Sequence, residues 1–149
     1  MELDKPQFDA AQIAGLAQIK TLQVHTWTTR GLANPYGSDI RRGRGEARFY
    51  TLRDALKFYI MGRLHEQYRM PLPQGLKICR HVFNDFNQAR TDHYLVLKIS
   101  TRQTVVTEYY GDAKSLTAAL ASKPLGTVIN IARIWGDVSA AAEKILNTP

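Results

Sequence analysis

Apolar residues recur at helical spacing in several stretches of the first part of the chain. Asp9 is a good N-cap for a helix through Ala10–Leu16, and a second helix over about Thr21–Arg30 follows a short break. Gly31 is well placed to end the second helix, because glycine accepts the left-handed conformation of a helix terminus. Two short helices joined by a tight turn predict a helix-turn-helix. The buried positions of its second helix are predicted to be Val24 and Trp27.

Residues 33–50 contain one proline and three glycines, so this stretch is predicted not to be helical. Short runs at Asp39–Arg42 and Ala47–Tyr50, joined by Gly43–Gly45, indicate a β-hairpin or ribbon. A ribbon directly after the second helix of a helix-turn-helix is the arrangement of a winged helix.

Two more helices are predicted after this ribbon. Thr51 caps the first of them, with Asp54 at the N3 position as in a capping box. Pro73 suits the first turn of the other, which covers about Pro73–Asn87. Their apolar stripes are Leu52, Ala55, Leu56, Tyr59, Ile60 and Leu64 in one, and Leu76, Cys79, Val82, Phe83 and Phe86 in the other.

The pattern changes after residue 90, where runs rich in branched residues predict strands. The predicted elements are a hairpin of Tyr94–Ser100 and Thr104–Tyr110, a short helix Ala113–Ser122, a strand Thr127–Ile134, and a helix from Asp137 through Leu146. The chain is therefore predicted to be α+β, with a helical head over residues 1–90 and a small ββαβα domain over residues 91–149.

The charge of the chain indicates that its partner is a polyanion. The 149 residues carry 20 basic and 13 acidic side chains, a net charge of +7. Within Arg30–Arg53 there are six arginines and two acidic residues. Arginine presents a planar fork of donors that suits phosphate groups and guanine edges, and such a cluster is typical of a nucleic-acid footprint. The alternative is an ordinary solvated basic surface.

The polar side of the second predicted helix offers polar side chains, most of them small, which suit a helix that enters the major groove of DNA. These residues are Lys20, Thr21, His25, Thr26 and Thr29. The predicted ribbon adds arginines that can reach a phosphate backbone or a minor groove, namely Arg41, Arg42, Arg44 and Arg48. The alternatives are a helical hairpin with an ordinary polar face and a basic loop.

The stretch Gln23–Leu32, the basic hairpin and the stretch Arg48–Leu56 together resemble the DNA-binding head of MerR-type transcriptional regulators. The resemblance covers about residues 8–86. It implies a winged-helix fold and sequence-specific binding of duplex DNA, usually as a dimer on a two-fold operator. The recognition-helix positions that it implies are Thr21, Leu22, His25 and Thr26, and the wing positions are Arg41, Arg42, Arg44 and Arg48. With Lys20 and Arg30, these form the predicted DNA-binding set.

The chain departs from the MerR pattern in two ways. Family members follow the head with a long helix that pairs into a coiled coil, whereas here the fourth helix breaks off before a strand-rich segment. We therefore assign homodimer formation to the domain over residues 91–149. The family's metal sensors use clustered cysteines, and this chain has only Cys79, so thiolate metal sensing is not expected.

Other function classes find little support in the sequence. The four histidines are scattered, and no catalytic or cofactor-binding constellation is evident, so neither an enzyme nor a cofactor is expected. With no signal-peptide pattern and no long apolar run, we expect a cytoplasmic, nucleoid-associated regulator that binds no membrane. RNA polymerase or another protein is a further candidate partner. The alternatives are a phage excisionase-like architectural factor and a protein-interaction adaptor.

Overall fold

A computed structural model of the chain describes residues 2–36, 48–84, 93–99, 104–110, 114, 116, 117 and 127–149. The described part combines α-helices with a small β-sheet, in agreement with the predicted α+β class. Its helices are α1 (Ala10–Ala17), α2 (Thr21–Thr29), α3 (Leu52–Tyr68), α4 (Leu72–Asn84) and α5 (Ile131–Leu146), and its strands are β1 (His93–Ile99), β2 (Thr104–Tyr110) and β3 (Thr127–Asn130).

The chain divides into two compact units. The first contains Met1–Asp85 together with Asp137–Pro149, and the second contains Phe86–Gly136. The predicted boundary near residue 90 lies close to the start of the second unit. The predicted second domain, however, ran on to residue 149, whereas the last part of the chain groups with the first unit.

The first unit begins with the two predicted short helices, and local hydrogen bonds explain where they start and stop. Asp9 caps α1 by accepting a hydrogen bond from the Gln12 N–H at 2.8 Å, and the Gln12 side chain accepts from the Asp9 N–H at 2.9 Å. Gln18 ends α1 in the left-handed conformation, with φ at 56°. Gly31, at φ 90°, follows α2 as predicted.

Helix α3 is the centre of the first unit, because both α1 and α4 pack against it. Thr51 and Asp54 form the predicted capping box at its start. Gly62 marks a close approach, since a Cβ there would lie 2.7 Å from the Cγ2 atom of Ile19. The predicted stripe is buried except for the half-buried Tyr59. The fully buried side chains of α3 are Leu52, Ala55, Leu56, Phe58, Ile60, Met61 and Leu64.

Helix α4 also follows its prediction over the residues that the structure describes. It begins one residue before Pro73 and is described to Asn84. Its apolar residues Leu76, Cys79, Val82 and Phe83 are buried. The rest of the predicted helix, including Phe86, lies outside the described residues.

In the second unit, an antiparallel sheet has the strand order β2-β1-β3. The predicted hairpin pairing of β1 with β2 is confirmed, with His93 opposite Tyr110 and Ile99 opposite Thr104. Strand β1 also pairs with β3, which places Leu95 opposite Ile129, and both side chains are buried. Of the predicted helix over residues 113–122, only residues 114, 116 and 117 are described, and these are helical.

The predicted strand Thr127–Ile134 is wrong in its second half. Strand β3 ends at Asn130, and α5 begins at Ile131 rather than after Asp137. The Asn130 side-chain oxygen accepts a hydrogen bond from the Arg133 N–H at 3.0 Å, which is the geometry of a helix N-cap. Branched residues such as Ile131 and Ile134 favour strands, but this cap starts the helix earlier. Among the described helices, none is long and apolar enough to cross a membrane.

Candidate nucleic-acid interface

Helix α2 exposes the residues that the sequence predicted for DNA contact, and we call them the α2 surface. Leu22 is 74% exposed and is the most exposed large apolar side chain in the described part of the chain. The polar members are exposed as well. The α2 surface consists of Lys20, Thr21, Leu22, His25, Thr26 and Arg30. Thr29 is also exposed, but its hydroxyl donates to the His25 carbonyl of the same helix at 3.0 Å.

The opposite side of α2 is buried, which fixes the direction in which the α2 surface points. Val24 is fully buried and Trp27 is 4% exposed, as predicted. The Trp27 ring stacks on Phe58 of α3, with ring centroids 6.4 Å apart and an angle of 11° between the planes. The His65 ring meets Trp27 edge-on at 6.0 Å. Helix α2 is therefore seated on α3 through an aromatic cluster.

A buried hydrogen bond also joins α2 to the chain beside the predicted ribbon. The Thr28 hydroxyl donates to the Val24 carbonyl at 2.7 Å and lies 3.1 Å from the Tyr50 hydroxyl. Tyr50 is fully buried, and its ring meets Phe58 edge-on at 5.9 Å. Tyr50 thus links the end of the predicted ribbon to the helix that carries the α2 surface.

We expect Tyr50→Phe to lower the free energy of unfolding by about 1 kcal/mol, because it removes one buried hydroxyl contact and keeps the ring. Thr28→Val should show a non-additive effect when combined with Tyr50→Phe, since both remove the same contact. Urea unfolding followed by circular dichroism measures both quantities. Tyr59→Phe, on the half-buried ring beside Arg63, is the matched control and should change stability little. Strict additivity of the two substitutions would contradict the role given to this contact.

The ends of the predicted ribbon are held together as a hairpin base would be. The Tyr36 N–H donates to the Phe49 carbonyl at 2.9 Å, and the Phe49 N–H donates back to the Tyr36 carbonyl at 3.1 Å. This reciprocal pair is an antiparallel bridge. Residues 37–47, with the predicted Arg41, Arg42 and Arg44, lie outside the described residues. We call residues 37–48 the basic segment; its last member, Arg48, is exposed.

Phe8, which lies just before α1, pairs with the same base from its other side. The Tyr50 N–H donates to the Phe8 carbonyl at 2.8 Å, and the Phe8 N–H donates to the Tyr50 carbonyl at 3.1 Å. Phe8 is fully buried. The return strand of the predicted ribbon therefore has a partner at Phe8 and another at Tyr36.

The charge of the chain segment that contains α2 is of one sign. Residues 10–38 contain no aspartate or glutamate, while Lys20 and Arg30 flank α2. Such a surface attracts polyanions without repulsion from carboxylates of its own segment.

Arg53, the last of the six clustered arginines, makes contacts within the protein. Its guanidinium donates to both Asp4 carboxylate oxygens, at 2.6 and 3.0 Å, and to the Phe83 carbonyl at 2.6 Å. The hydrogen bond from Arg53 lowers the pKa of Asp4 despite opposing desolvation.

Arg80 of α4 is a positioning residue that the sequence prediction missed. Its guanidinium donates to the Gly31 carbonyl at 2.9 Å and to the Arg30 carbonyl at 3.1 Å. These carbonyls lie just past the C-terminus of α2, where backbone acceptors are left without helical partners and a cation is favourable. No local pattern signals this contact, because the partners are far apart in the sequence.

Cys79 is suited to packing rather than to chemistry. It is fully buried, and burial raises the pKa of its thiol to about 12, so the thiolate form is disfavoured at neutral pH. Among the described residues, no three histidine, cysteine, aspartate or glutamate side chains come close enough to hold a metal ion.

Comparison with known proteins adds no family to this description. No protein-family model matches the chain, and no curated protein matches it in sequence.

Proposed function

We propose that this protein is a sequence-specific duplex DNA-binding regulator of transcription, with a MerR-like winged helix in which α2 is the recognition helix and the basic segment is the wing. One observation carries the proposal. Helix α2 is fastened on its buried side by Trp27 and Thr28, while its exposed side presents cationic, hydroxyl and imidazole groups in a segment without carboxylates.

The α2 surface has the groups that a recognition helix needs. Its N-terminal residues face base edges in the proposed complex, which assigns Thr21 to that role together with His25 and Thr26 one turn later. Lys20 and Arg30, at the two ends of the helix, neutralise phosphates and fix its register on the duplex. The hydroxyl of Thr29 already has a backbone acceptor in its own helix, so we assign it no base.

The basic segment supplies the second proposed contact. The bridge between Tyr36 and Phe49 brings its two ends together, which supports a ribbon that extends from this base. Arg41, Arg42, Arg44 and Arg48 then bind the phosphate backbone beside the groove that α2 occupies, or enter the adjacent minor groove.

We further propose that the protein binds its operator as a homodimer through the second unit. The sheet of β1 to β3 lies within residues 93–130, where MerR-type regulators continue with the long helix of their coiled coil. Strands β2 and β3 are the two edges of this sheet, and in the proposed dimer an edge strand pairs with a second copy. Because residues 137–149 group with the first unit, the full chain is the appropriate sample for light scattering, and a monomer at micromolar concentration would contradict this part of the proposal.

The test of DNA binding begins with selection of a preferred duplex from a random library by the full-length protein. We expect Arg42→Ala combined with Arg44→Ala to weaken binding to all duplexes and to lower the slope of log affinity against log salt by about 2, as expected for two lost phosphate contacts. We expect His25→Ala or Thr26→Ala to change the preferred sequence instead. Fluorescence anisotropy at fixed salt measures the affinities.

The chain offers a charge-matched control. Arg133→Ala combined with Lys144→Ala removes the same two charges from α5, where both residues are exposed, and should leave the salt slope nearly unchanged. Equal effects of the two double substitutions would reduce the proposal to general electrostatic attraction. No binding of any duplex at low salt would contradict it and favour a protein-interaction adaptor. If the selected sequence occurs at a recombination attachment site and not at promoters, an excisionase-like role is favoured.

A further inference from the structure

Large apolar side chains on the surface of the first unit concentrate in the proposed interface. The exposed ones in the described part of the chain are Leu22, Tyr36, Phe49 and Leu146. The first three lie on α2 or at the base of the basic segment, and the fourth lies near the end of α5. Leu22 has the greatest exposed fraction, 74%, on a helix whose other exposed residues are polar.

The position of Leu22 on α2 places it among the groups proposed to face base edges. It is the second residue of the helix, and His25 and Thr26 lie three and four positions later on the same face. Side chains of an α-helix lean towards its N-terminus, so Leu22 places an apolar side chain at the leading end of this otherwise polar face. Residues 10–38 contain no carboxylate, while Lys20 and Arg30 flank the helix. The surface that complements this face is therefore negatively charged, as DNA is, and not basic.

We propose that Leu22 is a specificity-determining residue that packs against the 5-methyl group of a thymine in the major groove. This inference rests on the proposed function. Thymine is the base that presents a methyl group in the major groove, and an apolar side chain recognises that group by contact. A leucine has no hydrogen-bonding group for any base edge, so its discrimination comes from the methyl group alone.

The experiment removes the methyl group from the DNA and the leucine from the protein separately. In the duplex selected by the full-length protein, each thymine is replaced in turn by deoxyuridine, which differs by that methyl group. We expect one position at which uracil weakens binding by the wild-type protein about fourfold, the value for burial of one methyl-sized group. Leu22→Ala should bind the thymine and uracil duplexes with equal affinity, and Leu22→Met should restore a preference for thymine.

Leu146→Ala is the matched control, because it shortens another exposed leucine, and it should keep the fourfold preference. Thermal unfolding checks that Leu22→Ala folds normally. If Leu22→Ala weakens binding to the thymine and uracil duplexes while keeping the wild-type preference, the thymine contact is disproved although DNA binding stands. If replacement of thymine by uracil has no effect on binding at any position, the thymine contact is also disproved. Failure of the wild-type protein to bind any duplex overturns the proposed function itself.

Discussion

Trp27→Ala should cost about 3–5 kcal/mol of unfolding free energy, the range for truncation of a large buried aromatic side chain. Trp27 is almost fully buried, stacks on Phe58 and meets His65 edge-on. Its removal leaves a cavity between α2 and α3, and the two rings lose their partner. Since small domains have only about 5–15 kcal/mol of total stability, this single change should remove a large fraction of the free energy of unfolding.

The measurement is denaturant unfolding of the full chain, followed by circular dichroism. Trp27→Phe keeps an aromatic ring and should lose markedly less than Trp27→Ala. Thr26→Ala, on the exposed side of the same helix, is the control for helix propensity and should leave stability within about 0.5 kcal/mol. A Trp27→Ala protein as stable as the wild type would show that α2 is not seated on α3 through this ring.

Gly31→Ala should cost about 2–5 kcal/mol, from two sources that can be separated. The φ of 90° at Gly31 is strained for any residue with a Cβ, at about 1–2 kcal/mol. A Cβ there would also overlap the Arg80 guanidinium. The guanidinium is flexible enough to move away, but it would then lose its hydrogen bonds to the Arg30 and Gly31 carbonyls. Each such bond contributes about 0.5–1.5 kcal/mol.

A double-substitution cycle separates the two sources. In an Arg80→Ala background the overlap is gone, so Gly31→Ala should cost only the backbone strain of about 1–2 kcal/mol. Gly15→Ala is the matched control, because Gly15 lies within α1 with open space where a Cβ would be. That change should be neutral or stabilise the protein, since alanine favours helices. Equal costs of Gly31→Ala with and without Arg80 would rule out the coupling.

Both predictions concern the same physical requirement. A helix that reads bases must be held in place before it meets DNA, because ordering it on binding would weaken affinity. In this protein the buried side of α2 is held by Trp27 and Thr28, and its C-terminus by Arg80. Arg80 lies on α4, so a change in the position of α4 would reach the proposed recognition helix directly.

The elements whose signals are local could be predicted from the amino-acid sequence. Asp9 with Gln12, and Thr51 with Asp54, start α1 and α3 through hydrogen bonds across three residues, and such caps are legible in the chain. Gly31 after α2 was also predictable, because glycine accepts the left-handed conformation at a helix end. The burial of Val24 and Trp27 followed from helical periodicity alone, and this also identified the exposed side of α2.

Helix α5 begins earlier than the sequence predicted. Ile131 and Ile134 have the branched side chains of a strand, and the sequence predicted strand up to residue 134 with a helix after Asp137. The structure ends β3 at Asn130, whose side chain caps the helix. Asn130 is a good N-cap by its chemistry, but a run of branched residues around it favoured the strand. Preferences of this kind are weak, and the cap outweighs them.

The contacts that hold α2 in place could not be predicted from the sequence and became visible in the folded chain. Arg80 on the carbonyls of Arg30 and Gly31, and Thr28 on Tyr50, join residues that are distant in sequence and near in space. The structure also showed that Arg53 is occupied by Asp4 and Phe83, although its place in the arginine cluster suggested otherwise. The physical reason is the range of each interaction. Caps and periodic burial depend on neighbours a few positions apart, whereas a guanidinium finds its acceptors only when packing brings separate helices together.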